Sequence, residues 1–359
     1  MIIRFIKIHF KNLYIFFLSL SLILFFFSTD KVNASFFNIN NIEISKPFEM
    51  NFDKNKVIDQ GFKKAFSKLV SLITVSKEHK IIQEIKLNQI KGMIESFTIK
   101  EEKFINEIYY VNLGVSFNKK KILNLLEKKN IFPSIPLKKK FLFIPIIIEE
   151  SNENLSIFSN NEFYNEWNKY SESFHLVQYI LPTEDLEDFF LIKKRYNLIE
   201  QYDFKEITNK YNLENSIIAL IFLNQKKLRI LSRITVKDNV VLKNQSFSKI
   251  NLKNQDQLKE IINILKTMYE DYWKSFNQIN TSIKLPIHVK MSGRDNSKVS
   301  HFERILMETD LIYDFFISKY DKDFIHYQII FNGTLDNFLI SMENKDLSFN
   351  TQKKIWVLK

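Results

Sequence analysis

Apolar and polar residues alternate from Phe37 to Ser45, with apolar Ile39, Ile42 and Ile44, the pattern of a half-buried strand. After Asn51 or Asp53, either of which can cap a helix, Val57, Ile58, Phe62, Ala65, Phe66, Leu69, Val70 and Ile73 recur at helical spacing. A second helix is predicted from Lys80 to Ile94, with strands over Ser96–Lys100 and Ile108–Phe117 as an antiparallel pair. Asn118 then caps a helix with Ile122, Leu125 and Leu126 inward. This order predicts an α+β sandwich over residues 35–137.

Pro133, Pro136 and Lys138–Lys140 mark a boundary. Beyond it, Phe141 to Ile148 is almost continuously apolar, the pattern of a strand buried on both faces of a parallel sheet. Pro145 is awkward there, because it cannot donate a ladder bond, so an edge or a bulge is expected at that point. A helix near Asn161–Lys169, a strand over Phe174–Ile180, a helix near Phe204–Tyr211 and a strand over Ser216–Leu223 follow. Lys227–Val236 and Val240–Phe247 form a hairpin, and Gln255–Phe276 a long amphipathic helix. Alternating strands and helices ending in a hairpin predict, over 138–279, a doubly wound α/β sheet with an antiparallel margin. Residues 280–359 give strands at Ser282–Met291, Leu311–Ser318 and Phe324–Phe331, and helices at Asn296–Glu308 and Thr334–Glu343. Short strands at Asp346–Phe349 and Ile355–Leu358 complete a small βαββαβ-like domain. The whole is expected to be three small sandwich domains. The first and third show no strict repeat, yet their element orders allow a shared architecture.

The N-terminus departs from these patterns. Arg4, Lys7 and Lys11 precede an unbroken run from Leu13 to Phe27, and Val32-Asn33-Ala34 offers a small-residue cleavage site. Basic start, apolar core and small-residue exit are the parts of a secretory signal, predicted over 1–34. The competing reading is an uncleaved inner-membrane anchor through residues 5–27. Either way, the charges ahead of the apolar run put the rest of the chain across the membrane, so the expected location is the periplasm.

Composition narrows the chemistry. With no cysteine, disulfides, thiolate metal sites, a Cys nucleophile and a lipid anchor on cysteine are all excluded. The net charge is +11, of which residues 1–34 supply four basic and one acidic residue. The remaining lysines are scattered over predicted helices and loops without a nucleic-acid-binding module, so no nucleic-acid partner is expected. Association of the lysines with an anionic membrane surface stays open. Five isolated glycines give neither GxGxxG nor a P-loop, and there is no GxSxG, HExxH or evident Ser/His/Asp set. No cofactor and no metal is expected.

Several core segments resemble a known family. Ile94 to Lys103, Tyr109 to Phe117, the helix from Leu123 to Asn130-Ile131 and the strand Phe141–Pro145 are similar to the successive motifs of the proteobacterial domain of unknown function 2066 family. Asn165-Glu166-Trp167, Leu181 to Asp188, Tyr327 to Leu335 and Trp356-Val357-Leu358 resemble its later motifs. Asn130, Glu184 and Phe331 stand where the family has Gly, Gly and Tyr, and one of its tryptophans is missing. The resemblance implies an exported protein without an assigned activity. The middle segment is also similar in outline to the amino-terminal domain of the Tol-Pal propeller protein and to the curli secretion channel protein, a likeness of fold alone.

Candidate functional residues are few. Glu149 and Glu150 follow a strand that should be central, where α/β proteins place functional groups. Asp185, Glu187 and Asp188 are placed to share that edge. Together they offer an acid/base pair or a divalent-ion site. Arg294, in the turn Ser292-Gly293-Arg294-Asp295, is a candidate anion holder. The bland alternatives are strand-end, cap and solvated-loop roles. The leading expectation is a non-catalytic envelope protein acting through contacts with an envelope protein partner. The alternative is a periplasmic ligand-binding or hydrolytic protein using Glu149, Glu150, Asp185 and Asp188.

Overall fold

The architecture, seen in a computed structural model that describes residues 36–170 and 175–359, starts from its caps. Asp53 accepts from the Asn55 N–H at 2.9 Å and opens α1 (Lys54–Ile73). The face of α1 carrying Phe62, Ala65, Phe66 and Leu69 packs with Val111, Leu113 and Val115. Those three lie on β3 (Ile108–Phe117), the centre of an antiparallel sheet ordered β1-β3-β2, with β1 at Asn38–Pro47 and β2 at Ile94–Ile105. Asn118 caps α4 (Lys119–Lys128) through the Lys121 N–H. The helix expected over 80–94 is instead two, α2 (His79–Gln83) and α3 (Leu87–Met93). Ile85 and Ile90 are both buried, and their five-residue spacing turns them to different sides of a straight helix, so the chain breaks between them. β2 runs well past the expected Lys100. Its side chains are mostly exposed and its backbone pairing with β3 holds it, which leaves no hydrophobic trace in the sequence.

The middle sheet is mixed, six-stranded and covered by helices on both faces. β4 (Lys139–Glu149) pairs in parallel with β6 (Val177–Ile180) and β7 (Asn215–Asn224), and antiparallel with the short β5 (Asn154–Ser156). β8 (Lys227–Val236) and β9 (Asn239–Ser248) continue β7 as an antiparallel meander, the predicted margin. One face of β4, Phe141, Phe143 and Ile147, packs with α8 (Gln255–Phe276) and Trp167; the other, Leu142, Ile144, Ile146 and Ile148, meets Ile192, Phe204 and Ile207. Pro145 is accommodated by a gap. β6 pairs with 139–142 and β5 with 147–149, so on that edge Pro145 faces neither. Its carbonyl instead accepts from Asn161 Nδ2 at 3.0 Å. A strand residue's N–H and carbonyl share a side, so the missing donor falls where no strand asks for one.

The helix expected at Asn161–Lys169 is a single turn, α5 (Glu162–Glu166), followed by a 3₁₀ turn through Lys169. α6 (Leu186–Lys194) had no predicted counterpart. It buries Asp188 and Ile192 and exposes Leu186 and Phe190, the reverse of the usual pattern. α7 (Lys205–Thr208) is one short turn within the expected helix at 204–211.

The third sheet is ordered β11-β12-β10-β14-β13, from β10 (Lys284–Ser292), β11 (Ile312–Tyr320), β12 (Phe324–Asn332), β13 (Phe349–Asn350) and β14 (Trp356–Leu358). α9 (Asn296–Glu308) and α10 (Leu335–Glu343) cover it through Phe302, Ile305, Leu306, Phe338 and Met342. Gly333, just before α10, takes a φ of +149°, the conformation its turn required. The first and third sheets share one plan: strand, helical layer, two strands, helix, with the third strand between the other two and antiparallel to both. β14 adds a parallel strand beside β10 in the third sheet only.

Residues 36–359 form one compact unit. The two crossing segments pair with each other: the Ile279 N–H donates to Pro133 O, the Ile135 N–H to Asn277 O, and Ser134 bridges Gln278. No described helix is long and apolar enough to cross a membrane. The predicted leader 1–34 and the alternative anchor through 5–27 lie outside the described residues.

Candidate functional site

The predicted carboxylates occupy two separate neighbourhoods. Glu149 ends β4, half-buried and paired in register with Asn154 and Leu223. Glu150 is exposed and accepts from Asn224 Nδ2 at 3.0 Å. Asp185 caps α6, accepting from the Glu187 N–H at 2.8 Å, and that bond, with the Lys210 ammonium at 3.2 Å, holds its carboxyl below the usual range. Asp188, 2% exposed, pairs with Lys210 at 2.6 Å. Arg294 is exposed in its turn and meets Asp323 at 2.6 Å. Thus Asp185 and Asp188 do converge, around Lys210, while Glu150 and Arg294 have Asn224 and Asp323 as partners of their own and Glu149 stands apart at the end of β4. Among the described residues, no group of three or more His, Asp or Glu side chains is arranged to hold a metal ion.

A chemically unusual stripe lies on α8, where the sequence reading had seen an apolar face. Lys266, Glu270 and Lys274 are 2%, 3% and 3% exposed. They sit at i, i+4 and i+8, continuing the line of Leu258 and Ile262, so extending that line by fours would have found them. Lys266 donates to Trp167 O at 2.7 Å and to Tyr170 O, the carbonyls released where the turn after α5 ends. Its ammonium also lies 5.4 Å from the centres of the Trp167 and Tyr179 rings, which meet edge to face beside it, within cation–π reach of both. Glu270 Oε1 accepts from the Leu176 and Val177 N–H groups at 2.9 and 2.8 Å and fixes the start of β6. Lys274 donates to Ser71 O at 2.5 Å, near the end of α1. Burial pushes Lys266 down to about 8, Lys274 downward and Glu270 upward. His175, next to the Glu270-bound strand start, is lowered to about 4 by burial and then by Lys266 and Lys274. These groups sit where helices and strands begin or end, and they bind backbone.

Exposed apolar side chains gather at the tip of the first sheet. The Phe48 N–H donates to Glu107 O at 2.7 Å, drawing the chain after β1 onto the β2–β3 turn. There Phe48 and Phe104 meet edge to face at 4.7 Å, and Phe52 joins Phe48 to Tyr109. Phe48 is 51% exposed, Phe104 56%, Ile105 49%, and Met50 stands wholly in solvent. Lys46, Lys54 and Lys103 are interspersed with Glu49, Asp53 and Glu107, so the rim is mixed in charge. The sequence pattern missed the tip because its residues lie at strand ends and a turn, where period carries no signal. No protein-family model and no curated protein matches the chain.

Proposed function

We propose that this chain is an exported, non-catalytic protein of the cell envelope that works by contact with a protein partner, docking through the tip of its first sheet. The observation carrying the reading is the exposure of Phe48, Met50, Phe104 and Ile105 together. Large apolar groups clustered in water at a polar rim are the usual core of a protein contact. The mixed charge of the rim favours a protein surface over a uniformly anionic membrane. Two further features support it. Three of the four carboxylates that would carry chemistry, Asp185, Asp188 and Glu150, are engaged in a cap, an ion pair and a strand-end bond, and the basic, apolar N-terminus has the form of an export signal. The resemblance to an exported family points the same way.

The test places a photo-crosslinking amino acid at Met50 in living cells. A discrete adduct with an envelope protein is expected, and it should vanish in Phe48→Ser/Phe104→Ser with the protein still folded. Absence of any adduct while the pure protein binds anionic vesicles would replace the partner with a membrane. A hydrolytic turnover abolished by Glu149→Ala or Asp185→Ala would overturn the non-catalytic reading.

A further inference from the structure

Between α1 and the pair α2–α3 lies a cavity of about 380 Å³ that plays no part in the contact proposed above. Its floor is apolar: Phe66, Val70, Ile82, Ile85 and Ile90, all buried. Its polar lining includes Lys63, Lys86 and His79 and not one Asp or Glu. The two lysines are exposed and free to bend over the mouth. Among the described residues, His79 Nε2 is buried and has no hydrogen-bond partner, while the ring is bonded to the Thr74 backbone. A polar atom buried without a partner carries a cost that a bound group can remove.

The cavity also has a structural origin. The break between α2 and α3 that buries both Ile85 and Ile90 stops the two short helices from closing down on α1 as one straight rod would. The slot left between them has the size of a small-molecule site, and its lining is divided evenly, six residues apolar and six polar or charged.

From these features we infer that the cavity binds a single-chain anionic amphiphile, its tail on the Phe66–Val70–Ile82–Ile90 floor and its carboxylate or phosphate head among Lys63, Lys86 and His79. Nε2 is closed off from water in the free protein, so binding must shift the side chains that cover it; it then donates to the head once the ring is protonated. The free ring resists protonation, held below its usual value by burial and then by Lys274, against the weaker pull of Asp271. An anion at Nε2 reverses that balance, so binding takes up a proton and tightens as pH falls.

The test follows the ring carbon of His79 by NMR in the whole protein, titrated with decanoate and with decyl phosphate below their micellar concentrations. Decanol and inorganic phosphate serve as single-feature controls. Saturable shifts with one or both anionic amphiphiles and a raised His79 pKa are expected, and which of the two binds more tightly distinguishes a fatty acid from a phospholipid fragment. Decanol and phosphate should bind at least about tenfold more weakly, and Lys63→Gln/Lys86→Gln should weaken binding about tenfold with unchanged melting temperature. No saturable shift at His79 with either amphiphile would overturn the inference. So would equal binding of decanol, or undiminished binding by Val70→Phe, which fills the slot and whose fold is checked by circular dichroism.

Discussion

Asp188 and Lys266 are both sealed from water, yet they call for different treatment. Asp188 has an ammonium at 2.6 Å and a lid of protein over it. Removing only one partner leaves a buried charge unpaired, whereas replacing both by apolar groups removes the problem. Lys210→Met should therefore lower the melting temperature, and Asp188→Leu/Lys210→Met should regain most of the loss. A double-mutant cycle in urea measures it, and additive losses would contradict the pairing. Lys266 has carbonyls and rings about it, and burial brings its folded-state value to about 8 against 10.5 when unfolded. Below pH 8 folding must hold a charge the interior disfavours. Between 8 and 10.5 the folded state has released that proton while the unfolded state still binds it, so stability rises with pH across the window. Lys119, also near 8 through burial, adds to the same slope. Lys266→Met should flatten the rise without abolishing it, as thermal melts from pH 7 to about 9.5 will show, below the range where Tyr179, Tyr269 and Tyr327, raised by burial, oppose the slope. The charges of α8 were legible as a spacing but not as burial, because a lysine looks the same in a sequence whether it snorkels or is enclosed.

At the scale of elements, caps and unbroken apolar runs read well and short elements did not. Asp53, Asn118 and Asp295 open helices as their residue types suggest, and Asp295 opens α9 exactly where Asn296–Glu308 was expected. α6 escaped because one of its two buried residues is the acid Asp188 while Leu186 and Phe190 are exposed, so Ile192 alone is left to mark the inward face. Pro145 shows a third case: the sequence flags a missing donor, and only the fold shows what replaces it. Asn161, fully buried, donates to Pro145 O and Ser156 O and accepts from the Phe163 and Tyr164 N–H groups at 2.9 and 3.2 Å. One side chain thus caps α5 and closes the gap between β5 and β6. Asn161→Ala removes the cap and strands two carbonyls, a loss of about 3 kcal/mol. Asn161→Asp keeps the cap acceptor but turns a second acceptor toward those carbonyls, so it should destabilise as much or more. Equilibrium urea unfolding ranks the two, and a near-native Asn161→Asp would refute the bridging role.

In the whole molecule, the repeated plan of the first and third sheets and the position of α8 between elements of the first two decide how unfolding spreads. The plan is visible in the order of elements but not in any matching of residues, since topology is set by where strands pair and each sheet fills its core with its own side chains. The first sheet is fastened to α8 by a few polar ties. Asp271 accepts from the Ser76 N–H at 2.7 Å and from the Ser76 hydroxyl, and Lys274 donates to Ser71 O. Close by, the Ser134 N–H donates to Ile73 O and the Trp273 indole to Leu137 O at 2.7 Å, where the chain passes from one sheet to the next. While these hold, opening one core exposes the ends of the other, and a single cooperative transition is expected by calorimetry. Asp271→Ala/Lys274→Met removes the polar ties to α8 outside the crossing segment without touching either apolar core, and leaves Leu72, packed on both cores, and the ion pairs to the third sheet in place. The transition should then split into two. The first sheet should melt at the lower temperature, because among the described residues no helix covers its face away from α1, which carries Asn112, Gly114 and Ser116, whereas the middle sheet is covered on both sides. Hydrogen exchange assigns the order: protection lost first in β3 supports this coupling, and a variant that still melts as one unit shows that the crossing segment, Leu72 and the contacts between the first and third sheets are enough to carry it.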